Sequence, residues 1–225
     1  ALPGVRQASV TEQLPFSGNN SSSVILPEGY EPRPGESVLS PLQTRAGVGY
    51  FEAMGIPLRE GRTFDSGDEI GSQQVIIVDE WLANRFYPGE SPLGKRLLYG
   101  TVPGLEEDIE PHLYTIVGVV GAHRQNDLVE SEYVGHYYFP VAQGPELNQM
   151  LVLKSEGDPM ALVEPVRQVV TRLDPELPFH GVQTMRERID GSLLERRSPM
   201  LLLMIFAGVA LFLAALGIYG ALAYS

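Results

Sequence analysis

Cysteine is absent from the 225 residues, tryptophan occurs once, and 16 basic residues face 28 acidic ones. The first absence excludes disulfide scaffolds, thiolate zinc sites, iron–sulfur clusters and cysteine nucleophiles, and leaves the redox compartment unread. The shortage of cations gives a net charge of −12, a field that repels phosphate backbones and argues against nucleic acid as a partner. Catalytic signatures are missing as well. There is no G-x-S-x-G elbow, no H-E-x-x-H and no histidine pair at i, i+4. The four histidines, His112, His123, His136 and His180, are scattered and read as surface or core-edge residues. Asp65, Asp68 and Glu69 make an acidic loop without the rhythm of an EF-hand, and read as solvated carboxylates. No cofactor or metal is implied, and the chain reads as a non-enzyme.

One string imitates a phosphate-binding loop. GESPLGKR, residues 89–96, has the G-x-x-x-x-G-K spacing, but Arg96 stands where a hydroxyl should hold magnesium. The string also follows a predicted helix and precedes a predicted strand, the reverse of strand–loop–helix, so it reads as a turn entering a strand.

Charge is missing altogether from residues 198–225, SPMLLLMIFAGVALFLAALGIYGALAYS. As a helix at ~1.5 Å per residue these would reach about 42 Å, more than the ~30 Å of bilayer hydrocarbon, so a transmembrane helix is expected there. A run ending inside the apolar stretch suggests a fragment of a longer membrane protein. Gly217, Ala221 and Ser225 recur at i, i+4 and i+8, a small-x-x-x-small pattern that lets a second helix approach closely. Arg196 and Arg197 stand at the membrane interface, where long side chains reach headgroups. By the positive-inside tendency they would put the preceding domain in the cytoplasm, but the opposite flank needed to count the bias lies beyond the run.

What precedes is patterned as α+β. Residues 5–14 alternate imperfectly, and residues 17–23 and 27–36 are polar, turn-forming tracts that read as exposed loop. Asn20-Ser21-Ser22 matches a glycosylation acceptor, a triplet common by chance. Strands are expected at 38–48, 74–79, 95–99, 113–124, 136–142 and 149–156, with a last one at 179–185. A helical turn at 50–56 stops at Pro57, and Asp79 is placed to cap a helix over 80–87. Asp158-Pro159 starts another helix with an apolar face of Leu162, Val163, Val166, Val169, Val170 and Leu173, and Pro165 predicts a kink or a late true start. Met185, Ile189 and Leu193, at i, i+4 and i+8, mark a final amphipathic helix running into the uncharged segment.

Six segments in order, residues 49–64, 75–97, 114–128, 151–178, 182–197 and 208–225, together resemble the extracytoplasmic domain and following span of MacB-like, FtsX-type ABC transporter permeases. The resemblance covers roughly residues 38–225. It implies a split porter-like subdomain (1–64 and 145–184) with an inserted sabre-like subdomain (65–144), a stalk helix (185–197) and a transmembrane helix (198–225). It implies a bacterial inner-membrane location with the soluble domain in the periplasm, and ATP hydrolysis in a separate or fused ATPase outside this chain. An ABC ATPase subunit is the implied partner, with a homodimer or second permease half and a periplasmic adaptor or substrate as further ones. Met185, Ile189 and Leu193 would then pack the stalk. The competing expectation is a periplasmic ligand-sensing or regulatory domain of a membrane receptor.

Overall fold

Runs of β-branched and aromatic residues become ten strands in one mixed sheet among the described residues. The structure, a computed structural model, describes residues 2–17, 21–31, 33, 37–100, 112–123, 133–145 and 148–223, with the side chains of 192–202, 215, 217 and 220–223 outside that description. The strands are β1 (Val5–Thr11), β2 (Ser21–Ser22), β3 (Ile25–Pro27), β4 (Leu42–Ala46), β5 (Leu58–Gly61), β6 (Val75–Asp79), β7 (Arg96–Tyr99), β8 (His112–Val120), β9 (His136–Pro140) and β10 (Met150–Ser155). The helices are α1 (Tyr50–Met54), α2 (Glu80–Phe86), α3 (Val163–Leu173) and α4 (Met185–Ala223). Two units are distinguished, Ala1–His180 and Gly181–Ser225.

In the first unit the strand order is β10-β1-β4-β9-β6-β8-β7-β3, with β2 beside β4 and β5 beside β8. Two pairs, β4–β9 and β6–β8, are parallel, and the other ladders are antiparallel. All five residues of β6 are buried. A strand covered on both faces cannot alternate, so its sequence reads as a continuous apolar run. On one face Ile76 and Val78 pack with Leu82 and Ala83 of α2, Ile116, Val119, Tyr137 and Phe139. On the other, Val75 and Ile77 pack with Tyr50 and Phe51 of α1, Phe64, Val120 and Tyr138. Each such side chain contributes about 1.5–3 kcal/mol of burial.

β8 carries an irregularity that decides which face its residues serve. Ile76 pairs with Ile116 but Ile77 with Gly118, leaving Val117 as an extra residue. The bulge resets the alternation, so that Ile116 and Val119, three apart, share one core while Val117 and Val120 face the other. Gly118 is required there, since a Cβ would lie 2.1 Å from the Arg62 carbonyl oxygen of the chain leaving β5.

The loop after β5 corrects one expectation. Asp68 is only 4% exposed; Arg62 donates to its two carboxylate oxygens at 2.7 and 2.8 Å, and the Asp65 amide donates at 3.0 Å. The guanidinium holds the Asp68 carboxyl below its ordinary range. Asp65 and Glu69 do remain exposed. Arg62→Ala would strand a buried carboxylate, and because Arg62 is itself partly exposed we expect a loss of about 1–3 kcal/mol. Arg62→Lys should recover only part of it, because the fork is lost. Urea denaturation midpoints of the three proteins check this, and equal midpoints for wild type and Arg62→Ala would contradict it.

Around α3 the sequence reading holds in detail. Asp158 accepts from the Met160 amide and caps a 3₁₀ turn, Pro159–Leu162, from which α3 starts at Val163 with Pro165 in its first turn. Leu162 and Val166 are buried, whereas Val169 and Leu173 farther along are exposed. Three expectations fail. Residues 21–22, within a tract read as loop, form β2 against β4. Residues 179–185 form no strand: Gly181 takes φ +71°, and the Phe179 ring is instead covered by the Arg167 guanidinium at 4.9 Å. Residues 25–27, inside the stretch flanked by loop tracts, form β3, with Ile25 fully buried against β7.

In the second unit α4 opens with a reciprocal cap. Thr184 Oγ1 accepts from the Glu187 amide at 3.2 Å, while Glu187 accepts from the Thr184 amide at 2.8 Å. Its backbone runs 39 residues. Among the described residues no helix is long and apolar enough to cross a membrane.

Candidate functional site

The densest polar chemistry lies where β6 ends, α2 begins and β9 starts. Asp79 terminates β6 because its carboxylate caps α2: Oδ1 accepts from the Leu82 amide at 2.8 Å. Oδ2 accepts from the His136 amide at 2.8 Å and from the Tyr133 hydroxyl. Asp79 is fully buried. Burial pushes its carboxyl up to about 6, against the hydrogen bonds that hold it down.

His136 is 1% exposed. Its Nε2 lies 3.0 Å from Thr44 Oγ1 of the neighbouring β4, and its Nδ1 has no partner among the described residues. The ring stacks on Tyr138 at 4.4 Å between centroids. His123, half-buried beyond the end of β8, stacks on the same tyrosine at 6.2 Å and lies 5.9 Å from His136. Burial drives His123 down to about 4, against a hydrogen bond to the Gly121 main chain that works the other way, and drives His136 well below the ordinary imidazole range, where the neighbouring His123 further disfavours its charge. The turn into β9 is seated directly on α2. Gly135 takes φ +86°, and a Cβ there would meet Leu82 Cγ at 2.5 Å and Trp81 Cε3 at 2.9 Å.

Two of the scattered histidines are thus brought together, a convergence that strand pairing supplies and spacing could not show. His112 and His180 are exposed, as read. Among the described residues no group of three or more histidines and carboxylates could hold a metal ion. Through Asp79 the cluster ties the start of α2 to the start of β9. A surface groove bounded by Glu164, Arg167, Gln168, Thr171 and Arg172 is lined by α3 alone and offers no converging groups.

The GESPLGKR string lies between α2 and β7 and is a turn. The Lys95 amide bonds the Pro92 carbonyl, and its ammonium pairs with Glu90 and lies 4.5 Å over the Tyr87 ring. Met185 and Ile189 are half-buried in the first turns of α4. Leu193, Arg196, Arg197, Gly217 and Ala221 lie on the α4 backbone with side chains outside the described residues, as Ser225 and Asn20 are altogether.

Comparison with known proteins gives one family model, the MacB-like periplasmic core domain, matching residues 3–169. A macrolide export ATP-binding/permease protein, MacB, of Aggregatibacter actinomycetemcomitans is 30% identical over 102 residues, covering 45% of this chain and 14% of the relative. A probable syringafactin export ATP-binding/permease protein, SyfD, of Pseudomonas syringae pv. tomato is 26% identical over 180 residues, covering 75% of this chain and 25% of the relative. The chain therefore spans a quarter or less of the length of these relatives. The crystal structure of the periplasmic region of MacB from Actinobacillus actinomycetemcomitans superposes with a TM-score of 0.47 at 16% identity, covering 76% of this chain and 86% of that one.

Proposed function

The chain belongs to the MacB-like periplasmic core domain family, and from that membership we propose that it is the non-catalytic extracytoplasmic part of an ABC-type transporter permease, together with the beginning of its membrane region. The observation that carries this is the continuity of the family match from β1 into α3, followed in sequence by 28 uncharged residues. In this reading residues 1–64 and 145–184 form the porter-like part and residues 65–144 the sabre-like insertion, which donates β6 to β9 to the shared sheet. Residues 185–197 act as a stalk, with Met185, Ile189 and Leu193 packing it, and residues 198–225 cross the bacterial inner membrane with the domain in the periplasm. Arg196 and Arg197 mark the interface.

The domain would couple movement of the membrane helices, driven by an ABC ATPase, to export or to a periplasmic partner. A helix spanning domain and membrane can transmit displacement without chemistry in the domain itself. A second copy or permease half would pack on Gly217, Ala221 and Ser225.

Two measurements test the reading. Purified from membranes, the full-length protein should bring an ATPase subunit or carry a fused one, and a histidine kinase or similar output module in its place would overturn the assignment. Gly217→Leu with Ala221→Leu should remove a helix contact worth about 1–2 kcal/mol and lower ATPase-coupled transport on the order of tenfold. Unchanged coupling would remove the proposed contact.

A further inference from the structure

We propose that Arg167 of α3 is a clasp that fastens the chain at Phe179, so that the chain pivots only at residues 180–183, between that clasp and the cap of α4. The Arg167 guanidinium lies 4.9 Å from the centre of the Phe179 ring, and its Nη1 donates to the Phe179 carbonyl at 3.4 Å. Glu164, one turn earlier on α3, pairs with Arg167 Nε at 3.5 Å. Phe179 is half-buried, while the residues on either side of it are exposed.

The chain that leads from α3 to the clasp is stiff. The Asp174 amide donates to the Val170 carbonyl and closes the helix, Asp174 Oδ1 accepts from the Glu176 amide at 2.9 Å, and the Leu177 amide donates to the Asp174 carbonyl at 3.3 Å. This is a turn held by its own first residue. Pro175 and Pro178 fix φ at two further positions before Phe179. The turn brings the chain back to α3, and two contacts to one guanidinium hold it there.

Beyond Phe179 such fastening stops. His180, Gly181, Val182 and Gln183 are exposed, and among the described residues they make no hydrogen bond, ion pair or ring contact. Gly181 takes φ +71° with open space where a Cβ would stand, a conformation glycine enters without steric cost. Order resumes at Thr184, whose hydroxyl and amide exchange hydrogen bonds with Glu187 at the start of α4. Residues 180–183 are thus bounded by a fastening on each side, and rotation about their backbone bonds breaks no contact. For the pivot to spread toward α3, the Arg167 contacts must open first. This inference stands on these contacts alone and does not depend on the transporter reading.

Amide relaxation by NMR of the full chain, with Arg167→Ala and Phe179→Ala beside the wild type, tests it. In the wild type the Phe179 amide should be as ordered as α3, with an order parameter of about 0.85, while residues 180–183 fall below about 0.6. In either variant residue 179 should join the mobile run, and combining the two substitutions should add nothing to either alone. Chymotrypsin supplies a second readout, because the Phe179 ring must leave Arg167 to enter the protease. Cleavage after Phe179 should rise about two- to fivefold in Arg167→Ala, the size of an exposed cation–π contact. Arg167→Lys keeps the cation but loses the guanidinium fork, so its rise should be smaller. A Phe179 amide as mobile as Gly181 in the wild type, residues 180–183 as ordered as α3, or unchanged cleavage in Arg167→Ala overturns the clasp.

Discussion

Replacing Phe51 by Ala is expected to lower the free energy of unfolding by about 3–5 kcal/mol, read from urea or thermal denaturation. Phe51 is 1% exposed, and its ring meets Tyr138 edge-on at 5.0 Å, Tyr50 at 5.6 Å and Phe64 at 6.1 Å. Tyr138 is held by β9 in mid-sheet, and Tyr50 and Phe51 are anchored in one short helix between glycines at φ +78° and +73°. The walls of the resulting cavity cannot collapse without breaking ladder pairs, so the large end of the range is expected. Phe51→Leu keeps most of the volume and should cost about 1–1.5 kcal/mol. Since domains of ordinary stability hold only ~5–15 kcal/mol, the alanine protein should be partly unfolded at 37 °C. A loss below 1 kcal/mol would mean that this ring cluster is not packed as described.

That cluster shows what sequence can convey. The 50–56 helix and the apolar run at 74–79 were legible because both signals are local: a proline and glycines bound the first, and the second lacks polar residues on either face. The Asp79 cap was legible for the same reason, being a side chain that reaches three residues ahead. Its second role was not. Tyr133 and the His136 amide are 54 and 57 residues away, and only the antiparallel pairing of β6 with β9 brings them to the carboxylate. Likewise His123 and His136 meet because both flank strands next to β6, whereas spacing along the chain gives no sign of it. β3 was hidden by its length: three residues between polar tracts carry no period, and Ile25 is buried only because β7 exposes an edge for it. At 179–185 the error runs the other way: a β-like composition is a weak signal, and Gly181 at φ +71° interrupts the extended backbone a strand needs.

Asp79→Ala should combine a lost cap with two stranded donors, and its cost should depend on pH in a direction set by the carboxyl itself. The Leu82 amide loses its cap, worth about 1 kcal/mol. The Tyr133 hydroxyl and His136 amide are left unpaired in the interior, at about 1–3 kcal/mol each. Against this, the variant no longer buries a carboxylate whose ionised form the fold disfavours, so a net loss of about 2–4 kcal/mol is expected at pH 7. The folded carboxyl, near 6, stands above the ~3.9 of an unfolded chain. The fold therefore holds that proton more tightly than the unfolded state does, and the stabilisation it confers is full below about 4 and lost as pH rises through 6. Removing Asp79 should accordingly cost about 1 kcal/mol more at pH 5 than at pH 7. His123 acts in the opposite sense, its stabilisation full above 6.5 and lost as pH falls toward 4, and His136, also lowered by burial, acts in the same direction as His123. The wild type should thus weaken on acidification while the gap to Asp79→Ala widens. Denaturation curves of both proteins at the two pH values separate the contributions, and a gap that narrows at pH 5 would show that the buried carboxyl is not raised but held ionised by its three donors.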